Sequence, residues 1–188
     1  MLMLNCRTIR AVLLLSFLGA LASITAAAQV LNSGAATIAL NANLSESVSL
    51  TLSTSAVNFT LIAGSATNAG STSVVATTTW TLKPSRGNLN VYAFFSSSAA
   101  ALTDGAGNNI PSSSFEISDN GGAFTALTNT VPFGGANAGL QVATVKILGN
   151  NKQGTRTDSM NFNINLSALP NLPAGTYAGT VTIQVQVI

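Results

Sequence analysis

Histidine is absent from this sequence, and cysteine occurs once, at Cys6. These two gaps remove Ser-His-Asp and Cys-His catalysis, the usual zinc ligand sets and the commonest general base. Acidic residues are also few: Glu46, Asp104, Glu116, Asp119 and Asp158 are all there are. A pair of them for glycoside hydrolysis is formally available. Most, however, lie in or beside turn-forming stretches, where a carboxylate usually bonds its own backbone or water. The expectation is a protein that is not an enzyme, with no catalytic residue, no metal ligand set and no cofactor. Charge of either sign is scarce, at 6% of residues. Beyond residue 28, Lys83, Arg86, Lys146, Lys152 and Arg156 balance the five acids. The formal +2 of the whole chain therefore comes from Arg7 and Arg10, and no basic footprint is left for nucleic acid or an anionic membrane. A weakly charged, neutral surface repels its neighbours little and tends to associate.

What is present begins with a three-part start. Residues 1–10 are polar and basic, 11–24 read AVLLLSFLGALASI, and Thr25-Ala26-Ala27-Ala28 supplies small residues before Gln29. This is the layout of a secretory signal peptide, cleaved after residue 28, with an apolar run too short for a spanning helix and its flanks. No second apolar run occurs, so no membrane span is expected after cleavage. The remaining chain has no cysteine and would enter an oxidising space without a disulfide, but it is long enough to fold around one core.

From there the period is two almost throughout. Ala36, Ile38, Leu40, Ala42 and Leu44 alternate with polar or small residues. Glu46 interrupts that face, and Val48, Leu50 and Leu52 resume it, so this is one bent strand or two in series. Val57, Phe59 and Leu61 follow in a shifted phase, then a Gly/Ser/Thr/Asn loop over 63–73. Val74 to Leu82 and Leu89 to Phe95 read as two strands of a hairpin closed by Lys83-Pro84-Ser85-Arg86-Gly87-Asn88. Residues 96–111 read as a loop. Phe115 and Ile117, the turn 119–122 and Phe124 to Leu127 make a second hairpin. Leu140 to Leu148 slips phase between Val142 and Val145, as at a β-bulge. Residues 149–157 read as a turn, and Met160, Phe162, Ile164 and Leu166 alternate against asparagines. Eight to ten strands and no helical period predict an all-β fold, a β-sandwich of immunoglobulin-like or jelly-roll topology, over residues 46–188.

The last stretch, LPNLPAGTYAGTVTIQVQVI over 169–188, is the longest regular one. Tyr177, Gly179, Val181, Ile183, Val185 and Val187 fall on every second position, with Thr and Gln between them. Thr176 to Val187 as one strand would span roughly 40 Å. A long strand with a free edge invites pairing with another chain. The segment LPAGTYAGTVTIQVQVI resembles the terminal strand of the spore coat U family, to which subunits of archaic chaperone–usher (Csu-type) pili belong. There a similar Pro-Ala-Gly-x-Tyr lead enters a long alternating last strand. Members commonly carry a disulfide near the first strands; this chain has Glu46-Ser47 and Thr78 at about those places.

The resemblance implies a sandwich lacking one strand. Its groove is filled first by a periplasmic chaperone and then, at an usher, by the amino-terminal extension of the next subunit. It implies an extension over 29–45 that donates Ala36, Ile38, Leu40, Ala42 and Leu44. It implies an acceptor strand presenting Tyr177, Val181, Ile183, Val185 and Val187, and a route from periplasm to cell surface as part of a fimbrium. The alternation alone leaves open whether residues 36–44 pair within their own chain or in another copy. A different class also stands open: a self-contained secreted module binding polysaccharide, with Trp80, Tyr92 and Phe94 as an aromatic platform. Asp104 to Asn109 and Asp119-Asn120 hold oxygen ligands suited to calcium, but without regular spacing they read as turns. The Asn-x-Ser/Thr triplets at Asn43, Asn58 and Asn165 are short matches in an Asn- and Ser-rich chain.

Overall fold

The computed structural model describes residues 32–188. The expected signal peptide, and the first residues of the extension with it, lie outside the described residues. The chain divides into two units, Met1–Ala42 and Asn43–Ile188, the second beginning just ahead of the expected boundary at Glu46. Of the first unit, residues 32–42 hold neither strand nor helix, and all are exposed. The expected strand over 36–44 is therefore not formed. Among the described residues no helix is long and apolar enough to cross a membrane.

The second unit is all-β. Its strands are β1 (Ser47–Leu52), β2 (Val74–Thr81), β3 (Asn88–Phe94), β4 (Leu102–Thr103), β5 (Asn109–Ile110), β6 (Phe115–Asp119), β7 (Thr125–Ala126), β8 (Gly139–Lys146), β9 (Gln153–Ile164) and β10 (Thr182–Val187). All pairings are antiparallel. One sheet runs β1-β2-β9-β6-β7, a second runs β10-β3-β8, and β4 and β5 form a small ribbon. Inward side chains of both sheets, among them Val74, Ile117, Met160 and Phe162 from the first and Ala93 and Leu140 from the second, meet in one buried cluster.

Local chemistry accounts for much of this. β2 alternates buried and less buried residues along its length, as its period of two requires. The β6–β7 turn takes Asn120 and Gly121 to positive φ, +49° and +76°, the two positions a tight hairpin turn of this hand needs. β8 carries the bulge: Val91 pairs with Ala143 and Tyr92 with Gln141, which leaves Val142 without a partner.

Four expectations are corrected. β2 and β3 are not a hairpin but join different sheets. β3 is buried on both faces, so it takes the centre of its own sheet, and the turn after β2 carries the chain across. Val57 to Leu61 forms only a bridge, Phe59 to Gly70. Residues 153–157 are not a turn; they open β9, paired with the far end of β2. Their outward residues Gln153, Thr155 and Thr157 are exposed, and Gly154 lies beneath the Trp80 ring, where a Cβ would come within 2.6 Å of Cζ2. The last strand is shorter than expected, since β3 ends opposite Thr182. Upstream of that point the chain turns to β4, Ala178 bridging Thr103.

Candidate functional site

Between the open edges of the two large sheets lies a groove of about 670 Å³. One wall is the end of β1, at Leu52, and the chain that follows it, with Val57, Phe59 and Leu61. The other is the lead into β10, with Tyr177, Val181 and Ile183. Its floor is the core itself: Phe95, Phe115 and Phe162 line it. Phe115 is the hub, with ring centroids 6.0 Å from Phe59, 5.1 Å from Phe95 and 5.6 Å from Phe162. Such pairs each contribute about 0.5–1.5 kcal/mol beyond their buried area. Apart from Leu52, which is exposed, the wall residues are half-buried although they pack on the cluster. The apolar interior is thus open to solvent along one side.

Each wall is held from behind. Asn68, buried, accepts the Ile62 N–H at 2.7 Å on Oδ1 and donates through Nδ2 to Ile164 O at 2.7 Å. Its own N–H donates to Asn163 Oδ1 at 2.8 Å. Asn163 in turn donates to Glu116 Oε2 at 2.7 Å, so a chain of satisfied amides ties the first wall to β9 and β6. The second wall is pinned at both ends. Ala178 exchanges two backbone hydrogen bonds with Thr103, at 3.0 and 2.9 Å, and Ile188 pairs likewise with Asn88. Gly179 presses on the ribbon, and a Cβ there would run into the Ala101 carbonyl.

Those two anchors fix the direction of every backbone group between them. Ala178 and Ile188 have the same parity, so Thr182, Gln184 and Gln186 point their N–H and C=O groups at β3. The backbones of Tyr177, Gly179, Val181, Ile183, Val185 and Val187 face the open edge. The side chains of Tyr177, Val181, Ile183, Val185 and Val187 are half-buried. Expected acceptor residues thus offer apolar side chains inward and, among the described residues, unpaired backbone outward. The Tyr177 hydroxyl donates to Pro173 O at 2.9 Å, and burial, with Asp104 nearby, raises its pKa.

The expected donor residues form no strand of their own. Ala36, Ile38, Leu40 and Ala42 belong to the first unit and Leu44 to the second, and none is in a strand. Ile38, Leu40 and Leu44 are 85%, 90% and 80% exposed. The aromatic platform is not formed. Trp80 is 4% exposed, its indole donating to Asn151 O at 2.9 Å, and Tyr92 is 7% exposed with its ring against Phe133. Neither ring offers an open face to a sugar. Asp104 spends its oxygens on the Ala106 and Asn108 N–H groups and the Asn108 amide, a turn closing on itself.

No family model matches this sequence, and no curated protein matches it. The groove's floor and first wall were not legible as a site, because Val57, Phe59, Phe95, Phe115 and Phe162 carry the same alternation as any core strand. Also unforeseen is the ion cluster beside the root of β1. Glu46 Oε1 accepts the Lys83 N–H at 2.9 Å and Arg86 Nε at 3.0 Å, and Oε2 accepts Arg86 Nη2 at 3.1 Å. Arg86 first, and the Lys83 N–H next, hold the Glu46 carboxyl at about 2. A second cluster sets Arg156 on Asp158, Nε at 2.7 and 2.9 Å, with Asp119 Oδ2 3.8 Å from its Nη2. Burial, and then the Asp158 charge, push the Asp119 carboxyl up. These two carboxylates share one arginine on the sheet and do not face each other across a cleft.

Proposed function

We propose that this chain is an exported structural subunit that joins its neighbours by β-strand addition, residues 36–44 of one copy entering the groove of the next. The observation that carries the reading is the groove: its floor is the hydrophobic core, and one wall is a strand whose outward backbone has no partner among the described residues. An inserted strand would complete an immunoglobulin-like sandwich, pairing with the edge at Tyr177 to Val187 and placing alternate apolar side chains on Phe115 and its neighbours. Residues 36–44 have the required period and are exposed outside any strand. The signal peptide over 1–28 would deliver the chain to the periplasm. The resemblance to Csu-type subunits extends the reading to a chaperone and usher as partners and a fimbrium as the product.

Magnitudes indicate what must hold the joint. Burying Ile38, Leu40 and Leu44 gives roughly 1.5–3 kcal/mol each, while association costs about 4–15 kcal/mol. Side chains therefore bring the joint near balance. Backbone pairing along the open edge, at about 0.5–1.5 kcal/mol net per bond, supplies the surplus.

The test is electrophoresis without boiling of the signal-processed chain, beside a version lacking residues 29–45. We expect a ladder of multimers from the first and a single band from the second. A single band from both, with a folded monomer, would overturn the proposal.

A further inference from the structure

We propose that Glu46, held by Arg86 and Lys83, is the positioning residue that sends the extension to another copy instead of back along its own β1. The inference rests on strand addition through the groove and concerns what chooses between copies.

Glu46 is the residue immediately before β1, whose first residue Ser47 pairs with Thr81. Both of its carboxylate oxygens are engaged by the turn that leaves β2, with Lys83 Nζ a further 3.7 Å contact. The root of the extension is thereby fixed at the end of the sheet where β2 stops.

For a chain to fill its own groove, residues 36–44 would have to fold back antiparallel to β1. Register decides what turn that requires. Leu50 packs on the core and Leu52 lines the groove, so Val48, of the same parity, shares their face. Residues directly opposite in an antiparallel pair share a face, which means Leu44, Ala42 and Leu40 must stand opposite Val48, Leu50 and Leu52. The turn is then Ser45-Glu46-Ser47. A tighter turn at Ser45-Glu46 would set Asn43 against Val48 and expose the whole apolar face. Three-residue hairpin turns normally need a residue at positive φ, most often glycine, and this one has none. It would also pull Ser47 from Thr81 and Glu46 from Arg86 and Lys83. Insertion into a second copy disturbs none of these bonds.

The experiment compares the processed full chain with Glu46→Ala and Arg86→Ala, which break the grip from either side, and with Lys146→Ala as an exposed control. Each is held at the concentration where the parent is half assembled. We expect both grip variants to be mostly monomeric there, the control to stay half assembled like the parent, and the extra monomer to protect residues 38–44 from hydrogen exchange. If one grip variant fails to fold, the other gives the same reading. A parental monomer fraction in the folded grip variants, or monomers whose residues 38–44 exchange freely, overturns the proposal. The chain lacking residues 29–45 separates the two levels. If it still forms ladders, strand addition itself is wrong; if it is monomeric while both grip variants match the parent, only the role of Glu46 falls.

Discussion

At the scale of single residues, Glu46 links folding to pH with a definite sign. Its folded pKa, about 2, lies below the ordinary 4.5. Its contribution to stability is therefore fully present above pH 4.5 and is lost as pH falls through about 2. Thermal unfolding followed across that window should show the midpoint of the parent falling more steeply than that of Glu46→Gln, and parallel curves would contradict the assignment. Gly179 makes a second test. Because its Cα lies against the Ala101 carbonyl, Gly179→Ala must push the lead into β10 off the ribbon, and overpacking of this kind costs about 1–3 kcal/mol. Denaturant titration should show that loss, and the groove's second wall should exchange amide hydrogens faster.

Among the elements, β10 and the extension are the proposed acceptor and donor. Leu40 is exposed and outside any strand, so Leu40→Asp should leave the unfolding midpoint of the monomer where it is. It should nonetheless weaken assembly by roughly 10- to 150-fold, the equivalent of about 1.5–3 kcal/mol of lost burial. Sedimentation across a concentration series would measure this. Ile183→Asp, on the groove wall, should weaken assembly in the same way and also lower the domain's own stability, because Ile183 packs on the core. Much of β10 was legible in advance, since an alternation that persists over a dozen residues admits few other structures. Its upstream end was not, because the handover of Ala178 from β3 to Thr103 depends on where β3 stops. The Val74–Phe95 hairpin failed for a related reason: alternation says that a strand has two faces and nothing about which sheet receives them.

For the whole molecule, strand addition is a head-to-tail contact, and such contacts propagate into filaments unless the rotation closes. A chain lacking residues 29–45 would keep its groove and lose its donor, so it should act as a terminator. Added in increasing ratio to the processed full chain, it should shorten the ladder progressively without altering the domain's spectrum. A ladder of unchanged length would mean that growth does not run through the groove.

The sequence by itself determined the kind of fold: with a period of two recurring in segment after segment as far as Val187, it had to be a β protein. It also determined which residues of the last strand turn inward, since side-chain parity is local to the strand. Only the tertiary structure decided that Phe59, Phe95, Phe115 and Phe162 surround one opening and that Glu46 grips Arg86, 40 residues away. It likewise decided that Trp80 is sealed over Gly154. Those facts depend on which strands become neighbours, and that choice is made by the packing of two sheets on a shared core, a property no single segment carries.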